Sequence, residues 1–332
     1  MIKFLRKFNL SIISLVFSVA ILGTVTYAWF SFATSNVLDN LSLNITTGDH
    51  LEISLDGENY YKKLPASLIW DTIGTELILK DVTSLDGKNF SGGPLNAGPV
   101  RANQDYISLR FWFRTTDAGK RDVYLVDNVS NDIVYEDVAD GTYVVSRGIN
   151  WRADNTFQNG PDPLTDIVRP GQRGIYYGAE AIRISFVEVK DEANPFDRRG
   201  EDELSSFIFD PSGNPERGYG KPYGAFAYFR AKRKENITIP EVVPEVRYEL
   251  TEFSPTNHYV PLSYDSKVMT LIETVDKKDV GKTYYRGILT VNIWLEGWDA
   301  DCFASIVRDS IKIQLKFKSG ETFSYSDIIN NE

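Results

Sequence analysis

The chain has 332 residues, with 36 lysines and arginines against 46 aspartates and glutamates, two histidines and one cysteine, for a net charge of −10. That balance lacks the basic footprint that neutralises a phosphate backbone and argues against a nucleic-acid partner. One cysteine closes no internal disulfide, and two histidines make cysteine-rich or histidine-rich metal cages hard to build. At 42% hydrophobic and 13% aromatic residues the chain is too apolar to stay disordered.

Residues 1–7 carry Lys3, Arg6 and Lys7 without an acid, and residues 8–36 carry no charge at all. The apolar stretch 10–33 is long enough for a hydrocarbon core that takes about 20 helical residues, and longer than the ~7 to 15 of an ordinary signal-peptide core. An uncleaved anchor fits this pattern. A cleaved signal fits as well, because Ser11, Ser14, Ser18, Gly23, Thr24 and Thr26 dilute the hydrophobicity and Thr26-Tyr27-Ala28 offers small residues where a signal peptidase reads. A buried helix of a soluble domain accounts poorly for the basic flank and the missing charge. The basic end stays cytoplasmic, so the expected organisation is a signal or transmembrane segment over 1–35 and an extracellular domain over 36–332, with a sub-boundary near 240 left open by Pro240 and Pro244. The expected location is the cell membrane, contacted through residues 10–33, with the body outside, or secretion after cleavage near Ala28. The exported part carries about −13, which does not suit an anionic bilayer.

From about residue 41 the repeating signal is period-two alternation. Segments 41–47 and 51–55 come first. Segment 106–114 then sets Ile107, Leu109, Phe111 and Phe113 on one face and Ser108, Arg110, Trp112 and Arg114 on the other. In 182–186, Ile182, Ile184 and Phe186 read as core-facing with Arg183 and Ser185 outside; the inversion at Glu188 predicts a bulge or strand end near Phe186. Further strands are expected at 77–80, 123–126, 132–135, 142–146, 207–209, 226–229, 268–273 and 284–295, and a last one at 311–318 with Ile311, Ile313, Leu315 and Phe317 inward. Asp56-Gly57, Asp86-Gly87, Asp140-Gly141 and Asn159-Gly160 supply hairpin turn chemistry. No long helical periodicity follows residue 36, no internal repeat is evident, and 150–173 and 191–221 read as long irregular insertions. The fold class expected is all-β: an antiparallel β-sandwich, jelly-roll-like, with long loop insertions, behind one N-terminal transmembrane or signal helix.

The catalytic inventory is thin. His50 and His258 are the only imidazoles, no Gly-x-Ser-x-Gly elbow is present, and Cys302 has no histidine nearby in sequence, so the expectation is a non-enzymatic protein without catalytic or cofactor-binding residues. Paired carboxylates could serve a hydrolase, but 46 acids make chance pairs common. Glu296, Asp299 and Asp301 offer the hard oxygens that calcium takes, without EF-hand spacing; they read as turn and helix-cap residues first and calcium ligands second. Trp151, Tyr176, Tyr177, Tyr219 and Tyr223 are the rings on which a glycan or other ligand would stack, against the plainer reading as packing. In 284–295, Leu289, Val291, Ile293 and Leu295 form the core row, and Cys302 packs as a small apolar side chain.

The segment Gly23-Thr24-Val25-Thr26-Tyr27-Ala28-Trp29-Phe30-Ser31, together with Val291-Asn292-Ile293-Trp294-Leu295-Glu296-Gly297-Trp298-Asp299-Ala300-Asp301-Cys302, resembles exported surface proteins of Gram-positive bacteria and their wall-less relatives, a set distantly similar to the TasA/camelysin group of biofilm-fibre proteins. The resemblance implies a jelly-roll domain at the cell surface or in a biofilm matrix, sometimes assembling by strand exchange. It does not extend to residues 150–221. The metallopeptidase activity once attributed to camelysin is not carried over, for want of a His-x-x-x-His or His-Glu pair.

The functional expectation is thus a cell-surface or extracellular structural or adhesive protein, self-assembling by strand addition; the alternative is an ectodomain that binds a surface glycan or protein partner, and a secreted hydrolase with paired carboxylates stands behind both. Export predicts that intact-mass spectrometry of cell fractions finds the protein either starting near Ala28 or Trp29 outside the cell, or retaining Met1 in the membrane fraction. A full-length chain confined to the cytosol would contradict it.

Overall fold

The computed structural model describes residues 15–17, 40–74, 77–95, 98–275 and 281–322. Residues 36–332 form one compact unit, separate from 1–35. The apolar stretch 10–33 lies outside the described residues apart from 15–17, which are helical and exposed. Among the described residues no helix is long and apolar enough to cross a membrane.

The unit is built from strands. In chain order these elements are β1 (Asn40–Thr47), β2 (Glu52–Ser54), α1 (Ala66–Ile73), β3 (Asp81–Thr83), β4 (Ser91–Gly92), β5 (Ile107–Thr115), β6 (Asp122–Leu125), β7 (Tyr143–Ser146), β8 (Ile149–Arg152) and β9 (Phe157–Gln158). There follow β10 (Ile167–Val168), β11 (Arg173–Tyr176), β12 (Ile182–Val189), β13 (Ser206–Phe209), α2 (Ala225–Arg233), β14 (Val246–Arg247), β15 (Lys267–Thr270), β16 (Ile272–Val275), β17 (Thr283–Glu296) and β18 (Ser310–Gly320).

Strand β17 is the longest and organises the larger sheet. One edge pairs antiparallel with β5, from Tyr285 opposite Thr115 to Ile293 opposite Ile107, and continues in parallel onto β3. The other edge pairs with β16 and then with all eight residues of β12, which carries β13 and β14 beyond it. In the smaller sheet β18 runs parallel to β1 from Asn40 opposite Ser310 to Thr47 opposite Phe317, and its other edge is shared by β7 and β6, with β15 outside β6. The sheets are therefore mixed, with parallel pairs at β1–β18, β3–β17 and β13–β14 among mostly antiparallel ones. Two further short ribbons, β8–β11 and β9–β10, stand apart.

The expected core rows meet in one cluster drawn from both sheets. Leu109, Phe111 and Phe113 of β5, Leu289, Val291 and Ile293 of β17, and Ile313, Leu315 and Phe317 of β18 all belong to it. Phe317 touches the larger sheet directly, 5.0 Å from Phe113 and 6.1 Å from Phe186 between ring centroids. Cys302 is buried in the same cluster.

Several expectations are corrected. Segment 226–229 is not a strand: Ala225, Tyr228 and Phe229 are buried at helical spacing in α2, and four-residue periodicity here overrides the aromatic content. Segment 132–135 forms turns, and no strand spans 77–80, which carries only an isolated bridge at Leu79 just before β3 begins at Asp81. The insertion 150–173 contains β9, β10 and most of β8. No bulge interrupts β12, whose register with β17 is continuous; Glu188 stays in the inward row and is buried, bonded by Arg199 at 2.5 Å and by the amides of Ser205 and Thr270. A charge that is paired and hydrogen-bonded can occupy a core position that sequence alternation assigns to an apolar residue.

A short internal repeat is also present. Ser54-Leu55-Asp56-Gly57-Glu58-Asn59-Tyr60 and Ser84-Leu85-Asp86-Gly87-Lys88-Asn89-Phe90 fold into the same turn: each Asp Oδ1 accepts the amides two and three residues on at 2.7 to 2.8 Å, and each Ser Oγ accepts the glycine amide at 2.9 Å. The first turn packs under Trp112 and the second on Ser185 of β12 and Ile208 of β13. Gly87, at φ +68, would place a Cβ 2.5 Å from that of Ser185, so only glycine lets its carbonyl accept Ser185 Oγ at 2.6 Å and Asn292 Nδ2 at 3.0 Å.

Phe317→Ala should destabilise the unit by about 3 to 5 kcal/mol, because it empties the contact between the two sheets. Chemical denaturation measures this; a loss under about 1 kcal/mol would contradict a core shared by both sheets.

Candidate functional site

Strand β12 presents Arg183 away from the main core, as the alternation predicts, yet the side chain is only 2% exposed. The segments after β13 and β17 close over it. Nη2 meets Asp210 at 2.7 Å and also bonds Asp299, while Nη1 donates to Ile182 O at 2.8 Å. Burial opposes the guanidinium charge, but Asp210, Asp299 and Glu296 outweigh it and hold Arg183 above its ordinary pKa. Burial raises Asp299 and Asp210 in turn, against the pull of Arg183, and the nearby Asp301 raises both further, with Asp210 adding to the effect on Asp299. Both carboxylates of this pair are buried, Asp210 at 0% and Asp299 at 1% exposed.

The three calcium candidates are engaged by this network. Glu296 accepts Trp294 Nε1 at 2.9 Å and the Trp298 amide at 3.1 Å; Asp299 serves Arg183 and the Asp301 amide; Asp301 receives Arg217 through Nε at 2.8 Å and Nη2 at 2.6 Å. Their expected capping role is not realised, since the helical turn at Ala304–Ile306 has no side-chain cap. Among the described residues no group of three or more His, Cys, Asp or Glu side chains is arranged to hold a metal ion.

The five stacking candidates divide. Trp151 and Tyr176 come together at 5.7 Å, edge to face, and pack with Phe157, Tyr228 and Phe303 into a satellite core. Tyr219 and Tyr223 are buried elsewhere, Tyr223 with its hydroxyl on Glu216 O, at the side of a polar recess of about 340 Å³ floored by Arg217. Tyr177 alone is open, at 44%. No exposed platform of these rings forms, because the 150–230 region needs its aromatics to build its own small core. His50 and His258 both lie against Tyr259, at 6.1 and 4.3 Å between centroids.

Tyr177 leads to a feature that ring counting does not find. Arg147 N donates to Ser310 O at 3.0 Å, which fixes the alternation along β7: Tyr143 and Val145 turn their peptide groups toward β18, and Val144 and Ser146 turn theirs away. Ser130 Oγ accepts the Val144 amide at 3.0 Å. Among the described residues no hydrogen bond reaches Val144 O, Ser146 N or Ser146 O. These groups open into a groove of about 480 Å³, walled by Ile133, Val134 and Tyr135 on one side and by Tyr177 and Glu180 on the other. Val134 is 62% exposed. The outer wall is braced by Arg147 and Lys312 at 4.8 and 5.0 Å from the Tyr135 ring centre. Burial pushes the Glu180 carboxyl up to about 7, with Asp301 and Asp210 adding to the effect and Arg183 and Arg217 opposing it. Ile133, Val134 and Tyr135, expected in a strand at 132–135, supply this wall instead.

No protein-family model matches the chain, and no curated protein and no solved structure gives a significant match.

Asp81 makes the electrostatics testable. It is 2% exposed, and burial outweighs the pull of the Asp81 and Leu95 amides to push it from 3.8 up to about 7. The folded state therefore keeps a proton that the unfolded chain releases above about pH 4, so this group's contribution to stability falls as pH rises from about 4 to about 7. Asp81→Asn should leave stability nearly unchanged at pH 4 and raise it by a few kcal/mol, at most about 4, at pH 8. Equal destabilisation at both values would contradict the assignment.

Proposed function

We propose that this is a non-enzymatic cell-surface or extracellular protein of structural or adhesive role, a two-sheet β-sandwich of jelly-roll kind exported by its N-terminal segment, which assembles by accepting an extended strand in the groove beside β7. The observation that carries the reading is the open peptide edge at Val144 and Ser146. Unpaired buried peptide groups are costly, and an added strand supplies their missing bonds while alternate side chains enter the pockets at Val134 and Tyr177. The basic, uncharged-apolar start of the sequence supports export, with both a cleaved and an anchored form in keeping with it. The interior, arginine-neutralised placement of Asp210 and Asp299 favours this over a hydrolase. The resemblance to the TasA/camelysin group points the same way.

A glycan-binding ectodomain is the second reading, favoured by the polar recess at Asn159, Asp166, Arg217 and Tyr223.

Val134→Lys with Tyr177→Lys places two charges in the groove without touching the core. Sedimentation of the full chain over a rising concentration series should show association for the parent and a monomer for the variant. A parent that stays monomeric throughout, or a variant that associates equally, would contradict assembly through β7.

A further inference from the structure

We propose that Arg152, Arg169 and Arg173 form a binding site for a phosphate-class oxyanion on the exposed face of the β8–β11 ribbon. Arg152 and Arg173 stand directly opposite each other in the antiparallel register. Facing side chains there lie about 5 Å apart at Cβ, where like charges oppose folding. Both are exposed, as is Arg169. The segment Arg169-Pro170-Gly171-Gln172 is a tight turn, closed by Gln172 N on Arg169 O at 3.1 Å and by Arg169 N on Gln172 Oε1 at 3.2 Å. Gly171 takes φ +89, and a Cβ there would stand 3.5 Å from Nη2 of Arg152, so the Arg152 guanidinium lies over the turn that Arg169 and Arg173 flank.

None of the three arginines has an ion-pair or hydrogen-bonded side-chain partner among the described residues, whereas Arg114, Arg183, Arg199, Arg217 and Arg286 each contact a carboxylate. In a chain of net charge −10, carboxylates are in surplus, yet none neutralises this cluster. Asp154, two residues from Arg152, is taken by Lys232. The cluster thus keeps its charge for something else, at a cost to folding. Guanidinium forks match phosphate oxygens in bidentate fashion, and three around one turn can engage one phosphate or two adjacent ones. The ribbon's other face is fixed: Trp151 and Tyr176 lie 5.6 and 5.4 Å from Phe303, so the backbone that carries the arginines is held before any ligand arrives. Exposure leaves the site open to either source of this chemistry, a soluble phosphate polymer or an anionic lipid headgroup.

The test uses the full chain in neutral detergent. It is titrated calorimetrically with inorganic polyphosphate at low salt, and its partition into phosphatidylglycerol and phosphatidylcholine vesicles is measured by flotation. The parent should bind at least one anionic probe, more weakly as salt rises. Arg152→Gln with Arg173→Gln should weaken that binding roughly tenfold or more, and Arg152→Lys with Arg173→Lys by less. Lys88→Gln with Lys221→Gln, which removes the same charge elsewhere, should leave it unchanged. The glutamine pair should unfold no earlier than the parent on heating, since it relieves a like-charge contact. Polyphosphate binding without a preference for phosphatidylglycerol assigns a soluble polymer; a preference for phosphatidylglycerol over phosphatidylcholine that the glutamine pair loses assigns a headgroup, because the N-terminal apolar segment is common to all variants. Binding of neither probe, or equal binding by parent and glutamine pair, overturns the proposal.

Discussion

The rest of the structure depends on a strand with no wet face. Strand β17 runs 14 residues through the larger sheet, and from Val291 to Glu296 every residue is buried. Its aliphatic row meets the smaller sheet. Its other row, Asn292, Trp294 and Glu296, carries polar atoms that must find partners in whatever covers them, since an unsatisfied buried polar group costs more than a hydrogen bond returns. The covering segments answer that demand atom by atom. The second Ser-Leu-Asp-Gly turn offers its Gly87 carbonyl to Asn292, Glu296 takes the Trp294 indole, and Phe90 packs edge-on against the Trp294 ring at 5.2 Å.

The same constraint explains why charge is concentrated inside an acidic protein. The neighbouring strand β12 is covered as well, and its Arg183 and Glu188 are each held by oppositely charged side chains from segments distant in sequence. Buried pairs of this kind add little net stability against an apolar alternative, but removing one partner leaves a bare charge. They fix which loops lie over the sheet and in what order. The groove beside β7 follows from that placement, because Glu180 in its wall adjoins Arg183, and the Gly178 and Ala179 amides that shape the wall are bound by Asp309 and Ser146.

How much of this was legible in the sequence depended on whether a residue answers to its neighbours or to distant ones. Period-two alternation located β5, β17 and β18 and their core rows, since every second residue in each is apolar for a local reason. It put Glu188 in the apolar row but read that as a bulge or strand end, whereas the strand runs on because Arg199 reaches the buried carboxylate; and it left Arg183 outside, because alternation reports the face of a strand and not the layer that covers that face. The insertions 150–173 and 191–221 read as irregular because the elements inside them are two to four residues long, and the first packs into a separate aromatic cluster. The stacking candidates Trp151 and Tyr176 were recognisable as important rings, but nothing local distinguishes a ring that packs from one that binds. The twin turns are present in the letters, as a shared element only seven residues long.

Assembly by strand addition, as proposed, needs an edge strand whose peptide groups are left unfinished. Strand β7 offers such an edge beside a walled groove: among the described residues Val144 O and both Ser146 peptide groups have no hydrogen bond, while the Val144 amide is held by Ser130 Oγ. The arginine cluster on the adjacent ribbon would give such an assembly an attachment to anionic material around it. Hydrogen–deuterium exchange compared between monomer and assembled protein tests the central claim most directly. The account predicts that the Ser146 amide exchanges readily in the monomer and becomes protected on assembly, along with the peptide that enters the groove. Protection of Ser146 already complete in the monomer, or assembly that leaves residues 143–147 unchanged while another edge gains protection, would contradict it.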